Sequence, residues 1–203
     1  MTPKQPMETV LIREDLVPYP NQEQITAKDN AVMALQDLPE ADLPERTGSV
    51  LSIRVPAHLI PDVKKIISTT SLEVISGYDV VATDYLERLE RSLTAPQIGV
   101  APGVNTPLHV IEARHKLEDA ETAGEEVQAL RERFNMASKA AYSKYASEAV
   151  DWVRKGLSND GVQWSSTLID DAASAIAEAK RQGVETSELE TYLEELQEQP
   201  RPE

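Results

Sequence analysis

The chain has 203 residues, a length that accommodates one or two small domains. Its 35 acidic and 20 basic residues give a formal net charge of −15, which repels nucleic acid at long range. It contains no cysteine, so disulfide bonds, thiol chemistry and cysteine-based zinc sites are excluded.

The negative charge is concentrated at the two ends of the chain. Residues 1–48 contain 9 acidic and 4 basic side chains, and residues 158–203 contain 11 acidic and 3 basic ones. Residues 49–157, with 15 acidic and 13 basic side chains, are nearly neutral and can still bind nucleic acid locally.

Membrane and export signals are not evident in the sequence. No apolar run approaches the roughly 18 residues that a membrane span requires, and residues 1–25 lack the order of a signal peptide. We therefore expect a soluble cytoplasmic protein with no membrane partner. A protein that assembles into a virion in the cytoplasm would show the same absence of membrane and export signals.

Residues 1–48 are rich in proline and acidic, a composition that predicts an extended N-terminal arm. One short helix is expected in it, capped by Thr26 with Asp29 and ended by Pro39. Such an arm is either a flexible tail or a segment that becomes ordered against a neighbouring subunit. The prolines are Pro3, Pro6, Pro18, Pro20, Pro39 and Pro44.

Residues 49–93 predict a small strand-helix-helix module. Apolar and polar residues alternate over 49–55, which indicates a strand, and Pro56 ends it. A helix to about Ser68 follows, and Thr70 with Glu73 matches a capping box that would begin another helix. A further helix is expected after Asp79, with an apolar face of Val80, Leu86, Leu89 and Leu93.

The run SVLSIRVPAHLIPDVKKIISTTSLEVI, residues 49–75, resembles the ribbon-helix-helix family of dimeric DNA-binding proteins. The resemblance implies that strands of two protomers pair into a ribbon that lies in the major groove. It also implies a set of DNA-contacting residues: Ser52 and Arg54 would read base edges, Val50 would touch a thymine methyl, and Thr70 and Ser71 would hold a phosphate.

Residues 94–105 predict a Pro/Gly-rich linker, and residues 106–157 predict one long helix or two helices broken near Gly124. Apolar or small residues recur at a seven-residue spacing, which is typical of a coiled-coil-like seam. The seam packs either on the chain's own C-terminal helices or on another subunit. Its residues are Val110, Ala113, Leu117, Ala120, Val127, Leu130, Phe134, Ala137 and Ala141.

Two further helices are predicted before the tail of residues 199–203. The first runs from about Ser166 to Gly183 and would pack back on the long helix as an antiparallel hairpin. The second begins with the capping box Ser187-x-x-Glu190 and is acidic on its outer faces. Trp152 and Trp164 flank the turn before them, where they would either clamp that corner or anchor a partner.

Catalytic motifs are not recognisable, and we expect no enzyme activity, cofactor or metal. Glu112 and His115 have the spacing of helical di-iron ligands, but the sequence has no second pair. We thus predict a mainly α protein: an extended proline-rich arm (1–48), a strand-helix-helix module (49–93), a linker (94–105) and a domain of a long helix with an antiparallel helical hairpin (106–198).

The favoured function is an interaction or assembly protein that binds a protein partner or a second copy of itself, for example a structural component of a phage or other large complex. The alternative is a dimeric DNA-binding regulator of a plasmid or phage, which would bind nucleic acid through residues 49–75.

Overall fold

A computed structural model of the protein describes residues 6–14, 20–94, 105–160 and 162–201. It is mainly helical, as the sequence predicts, with a small sheet. The elements are β1 (Met7–Arg13), α1 (Gln22–Gln36), β2 (Glu45–Thr47), β3 (Val50–Pro56), α2 (Ile60–Ile67), β4 (Glu73–Ile75), α3 (Tyr78–Thr94), α4 (Asn105–Thr122), α5 (Gln128–Leu157), α6 (Thr167–Arg181) and α7 (Ser187–Gln197).

The chain divides into two compact units. The first comprises Met1–Val81 and Asp119–Glu126, and the second comprises Ala82–Glu118 and Val127–Glu203. This division differs from the predicted one, because the predicted arm and most of the predicted module share a single unit. Residues 95–104, which are most of the predicted linker, lie outside the described residues.

The first unit contains a four-stranded sheet in the order β2-β3-β1-β4, with every neighbouring pair antiparallel. With α1 and α2 between the strands, the element order is βαββαβ, the split-βαβ topology of ferredoxin-like domains. The two seven-residue strands occupy the centre and the two three-residue strands lie at the edges. Short edge strands limit the row of unpaired backbone groups that a sheet exposes.

Strand register determines the core of this unit. Val10 lies opposite Ile53 and Ile12 lies opposite Leu51, so the alternating apolar residues of β1 and β3 share one face. That face is buried in a single apolar cluster with residues of α1 and α2, among them Ala31, Leu35, Val63 and Ile67. The hydrophobic core therefore includes segments on both sides of the predicted arm boundary.

The prediction of an extended arm is wrong for the described part of residues 1–48. Residues 7–13 form a central strand, and α1 begins after Asn21, which exchanges capping hydrogen bonds with Gln24, both at 2.9 Å. The predicted cap at Thr26 is also wrong, because its hydroxyl donates to the carbonyl of Gln22 inside the helix. The prolines separate elements in this segment and do not prevent them.

Ionic contacts hold the end of β1 to its neighbours. The Glu14 carboxylate, only 6% exposed, is bound by Arg46 through Nε at 2.8 Å and Nη2 at 2.9 Å. Lys28 of α1 approaches the same carboxylate at 3.6 Å. One acidic side chain thus connects the end of β1, helix α1 and the edge strand β2. The Arg46–Glu14 pair is bidentate, which is the strong geometry for an arginine and a carboxylate.

The prediction that Thr70 begins a second helix is wrong. The Thr70 hydroxyl donates to the carbonyl of Ile67 and accepts from the backbone N–H of Leu72, which stabilises a turn. Residues 73–75 then form β4, with Ile75 opposite Leu11 of β1. Sheet pairing and the burial of Leu72 and Ile75 therefore outweigh the local capping signal.

The second unit is built from helices, of which α5, α6 and α7 pack on one another. The helix predicted over 106–157 is broken near Gly124, as the two-helix alternative states. Gly124 has a φ of +85°, and Glu125 donates its backbone N–H to the carbonyl of Ala120 at 3.0 Å. Gly183, with a φ of +75°, ends α6 in the same way, because the backbone N–H of Val184 donates to the carbonyl of Ala179.

Long side chains of α5 bind the C-terminal half of α3. Arg133 donates to the Glu90 carboxylate at 2.9 Å, and Lys144 Nζ donates to the carbonyls of Ser92 and Leu93 at 2.8 and 3.0 Å. Lys144 thereby satisfies carbonyl groups that a helix end leaves open. Burial raises the pKa of the neighbouring Glu148 carboxyl. Among the described helices, none is both long and apolar enough to cross a membrane.

Trp164, which follows the turn after α5, lies close to Gly156 near the end of that helix. A methyl group added at the buried Gly156 would lie 3.3 Å from the Trp164 ring and 2.9 Å from Leu168 Cδ1. In an open helix, glycine-to-alanine substitution stabilises by roughly 0.5–1 kcal/mol. Here we expect Gly156→Ala to destabilise the second unit by about 1 kcal/mol, because the ring and the leucine must move. Urea unfolding followed by tryptophan fluorescence measures this change, and a stabilised variant would contradict it.

Candidate interaction surface

Most of the predicted seam lies in the interior of the chain. Leu130 is half-buried, and the other eight seam residues are buried. The burial of these residues favours packing within the chain over packing on another subunit. The buried residues are Val110, Ala113, Leu117, Ala120, Val127, Phe134, Ala137 and Ala141.

The residues expected to contact DNA are not presented as one surface. Val50 is 2% exposed, so it is not available to a thymine methyl. Ser52, Thr70 and Ser71 are half-buried, and Arg54 is exposed and 3.6 Å from the Asp42 carboxylate. Of the five residues, Arg54 alone is freely exposed, and it faces an acidic neighbour.

The ribbon-helix-helix resemblance implies a strand that is free to pair with a second protomer and a second helix after it, and the described residues 49–75 contain neither. Strand β3 lies between β1 and β2 of its own chain, so residues 50–52 are paired on both edges. In the described chain, residues 73–75 form a strand where the resemblance implies a second helix. DNA binding by this chain stays a prediction, without support from the arrangement of these residues.

Ionisable side chains do not converge on a metal-binding group in the described residues. No cluster of three or more His, Asp or Glu is placed there to hold an ion. Glu112 contacts His109, one turn before it, with 3.4 Å between Oε2 and Nδ1. Within the described parts of the chain, Glu112 and His115 are therefore not joined by the further ligands that a di-iron site needs.

An open groove lies between α6 and α7, above buried apolar residues of both helices. One wall is formed by residues of α6 at positions i, i+4 and i+7, and the other by residues of α7 at the same spacing. Ile176 and Leu193 lie between them, and the groove encloses about 430 Å³. The walls are Ala173, Ala177 and Lys180 on α6, and Glu190, Glu194 and Gln197 on α7.

Charge is arranged asymmetrically along this groove. At one end, Lys180 Nζ binds Glu190 Oε1 at 2.8 Å, and the Thr186 hydroxyl donates to the same oxygen at 3.1 Å. The hydrogen bond from Lys180, with that from Thr186, lowers the pKa of Glu190 below its ordinary value. Glu194, further along the wall, forms no ion pair with any described residue. The groove therefore retains a net negative wall.

The loop that joins the two helices sets the position of α7. The predicted capping box of Ser187 and Glu190 is wrong, because the helix begins after Thr186, and Glu190 binds the Thr186 hydroxyl. Glu185 instead accepts from the backbone N–H of Ser187 at 3.0 Å. Together with Gly183, these contacts direct α7 back along α6, so that the two rows of wall residues face each other.

No family model, curated protein or solved structure matches this chain. The candidate surface is therefore assigned from its own geometry and charge. Two other surface depressions, around Arg133 and around Tyr192, are lined mainly by polar side chains. The α6–α7 groove differs from them in combining an apolar floor with an acidic wall.

Sequence reasoning did not identify this groove. The sequence predicted that α6 packs on the long helix and that α7 is acidic on its outer faces, and the structure shows that the buried row of α6 includes Ala172 and Ala175. The available signal was the row Ala173, Ala177 and Lys180, which repeats at helical spacing beside the buried row. Alanine occurs in both rows, so its position in the sequence does not distinguish an exposed wall from a core contact.

Proposed function

We propose that this chain is a non-enzymatic interaction protein that contributes its C-terminal helices to a larger protein assembly, such as a phage particle or another large complex. One observation carries the proposal. The α4–α5 seam is buried within the chain, whereas the groove between α6 and α7 is open, with the exposed Ala173 and Ala177 on one wall above the buried Ile176 and Leu193. An apolar groove is a recurring site at which proteins bind a helical segment of a partner.

This interaction surface lies outside residues 1–48 and the long helix, the two segments that the sequence favoured for association. The described part of residues 1–48 belongs to the core and sheet of the first unit, so it does not supply an extended tether. The long helix buries its seam in the same way. Helices α6 and α7 carry an open groove that a protein partner can reach without unfolding either unit.

Site-specific photo-cross-linking in a native extract tests this function. A photoreactive phenylalanine derivative replaces Ala177 in the groove or, as the matched control, Met136 on α5, which is 68% exposed. We expect one defined protein adduct from position 177 and none from position 136. Adding Ala173→Trp, which fills the groove, is expected to abolish the adduct.

Three results would contradict the proposal. Equal adducts from both positions would indicate nonspecific contact, and an adduct that survives Ala173→Trp would place the partner outside the groove. The absence of any adduct in the extract of the native host would also overturn it. Circular dichroism of each variant confirms that the helices are intact before the comparison is made.

A further inference from the structure

The two walls of the α6–α7 groove have different chemistry, and the difference restricts what binds there. The α6 wall presents the methyl groups of Ala173 and Ala177, which leave space for larger side chains from outside. The α7 wall presents carboxylates, among which Glu194 has no ion-pair partner in the described chain. A ligand that fits both walls has apolar side chains on one face and positive charge on its flank.

The charge of the surrounding surface has the same sign. Helix α7 contains four glutamates and no basic residue, and residues 158–203 contain 11 acidic and 3 basic side chains. Complementary charge steers partners of opposite sign to such a surface and rejects partners of the same sign. An acidic peptide or a nucleic acid is therefore disfavoured at this groove.

The dimensions of the groove match a helix better than a single small molecule. The wall residues span seven positions, which corresponds to roughly 10 Å along a helix axis, or two turns. A helix lying in such a groove inserts apolar side chains at positions i, i+3 or i+4, and i+7. The exposed side chains of Ala173 and Ala177 offer contacts along this length, above Ile176 and Leu193, which are only 4% and 5% exposed.

A second copy of the same surface is a poor occupant. A symmetric dimer brings the same residues of both protomers together. The two α7 walls would then place Glu194 beside its own copy, with Lys180 already engaged by Glu190. Like charges in contact oppose such an interface, so the occupant is a different molecule with basic residues.

We propose that the α6–α7 groove binds an amphipathic helix of a protein partner, with apolar side chains on Ala173 and Ala177 and basic side chains against Glu194. This inference rests on the proposed function and names the class of partner. Lys180 and Glu190 close one end of the groove through their ion pair. The partner helix therefore extends past the opposite end, beside Gln197.

Two synthetic helical peptides test the partner class against the purified full-length chain at physiological salt. Each has about 18 residues, five turns of helix, with the same leucine spacing. One has lysine and arginine on its flanks and the other has glutamate. We expect the basic peptide to bind, and the acidic peptide to bind at least about tenfold more weakly, because its charge opposes the α7 wall.

Two charge reversals on α7 distinguish binding of the basic peptide in the groove from its general electrostatic attraction to the acidic chain. Glu194→Lys is expected to weaken binding of the basic peptide about fivefold, the upper range for one exposed charge pair. Glu188→Lys makes the same charge change at an exposed residue that does not line the groove, and we expect less than about a twofold effect because isolated surface charges contribute little. Ala173→Trp is expected to abolish binding.

The outcomes distinguish this inference from the proposed function. If the basic peptide fails to bind, or if both charge reversals weaken it equally, the assignment of a basic helix is wrong. A groove-specific cross-link at position 177 would then still support an interaction protein with another kind of partner. If that cross-link is also absent, both proposals are wrong.

Discussion

Leu35→Ala is expected to destabilise the first unit by about 2–5 kcal/mol, the range for removing a fully buried leucine side chain. Leu35 is 0% exposed and belongs to the apolar cluster that joins α1 to the sheet. The cost includes the lost burial and the cavity left between the helix and the strands. Native-state hydrogen exchange of the β1 and β3 amides measures it within this unit.

Met33→Ala on the same helix is the control for this prediction. Met33 is 62% exposed, so its truncation is expected to change the stability by less than about 0.5 kcal/mol. If residues 1–48 formed an arm without a core, both substitutions would have equally small effects. Equal and small changes would therefore contradict the placement of α1 in the core.

Ala175→Leu is expected to destabilise the second unit by about 1–3 kcal/mol through overpacking. Ala175 is 0% exposed within the packed helices α5, α6 and α7, where small side chains allow close approach. Three added carbon atoms displace the neighbouring backbone or force strained rotamers. Trp152 and Trp164 both belong to this unit, so urea unfolding monitored by tryptophan fluorescence reports the change.

Ala173→Leu, two residues earlier on the same helix, makes the same chemical change on the exposed wall of the groove. Its side chain enters open space, so we expect a change of less than about 0.5 kcal/mol. A large loss of stability from Ala173→Leu would show that the groove is closed in solution. A negligible loss from Ala175→Leu would show that α6 does not pack as described.

Strong local patterns predicted many of the helices. The turn at Gly124 and the stop at Gly183 follow from glycine's access to positive φ, which ends a helix irrespective of the rest of the fold. The alternation in residues 49–55 predicts β3 because a strand with a buried face must repeat every two residues. These signals act over a few residues, so the sequence carries them directly.

Longer-range pairing decided the elements that were predicted wrongly. Residues 7–13 contain only three strongly apolar side chains between prolines, and their strand forms because β3 and β4 lie on either side. Thr70 with Glu73 is a helix-capping signal, but the edge of β1 gives the backbone groups of residues 73–75 a better set of partners. Neither pairing is visible in the local sequence.

The candidate site depended on tertiary structure for the same reason. The sequence established an acidic last helix, a row of alanines at helical spacing and the absence of cysteine chemistry, because these depend on residue identity. Only the packing of α6 on α5 decided that Ala175 is core and Ala173 is a wall of the groove. An alanine has no polarity to orient it, so its environment is set by the neighbouring helices.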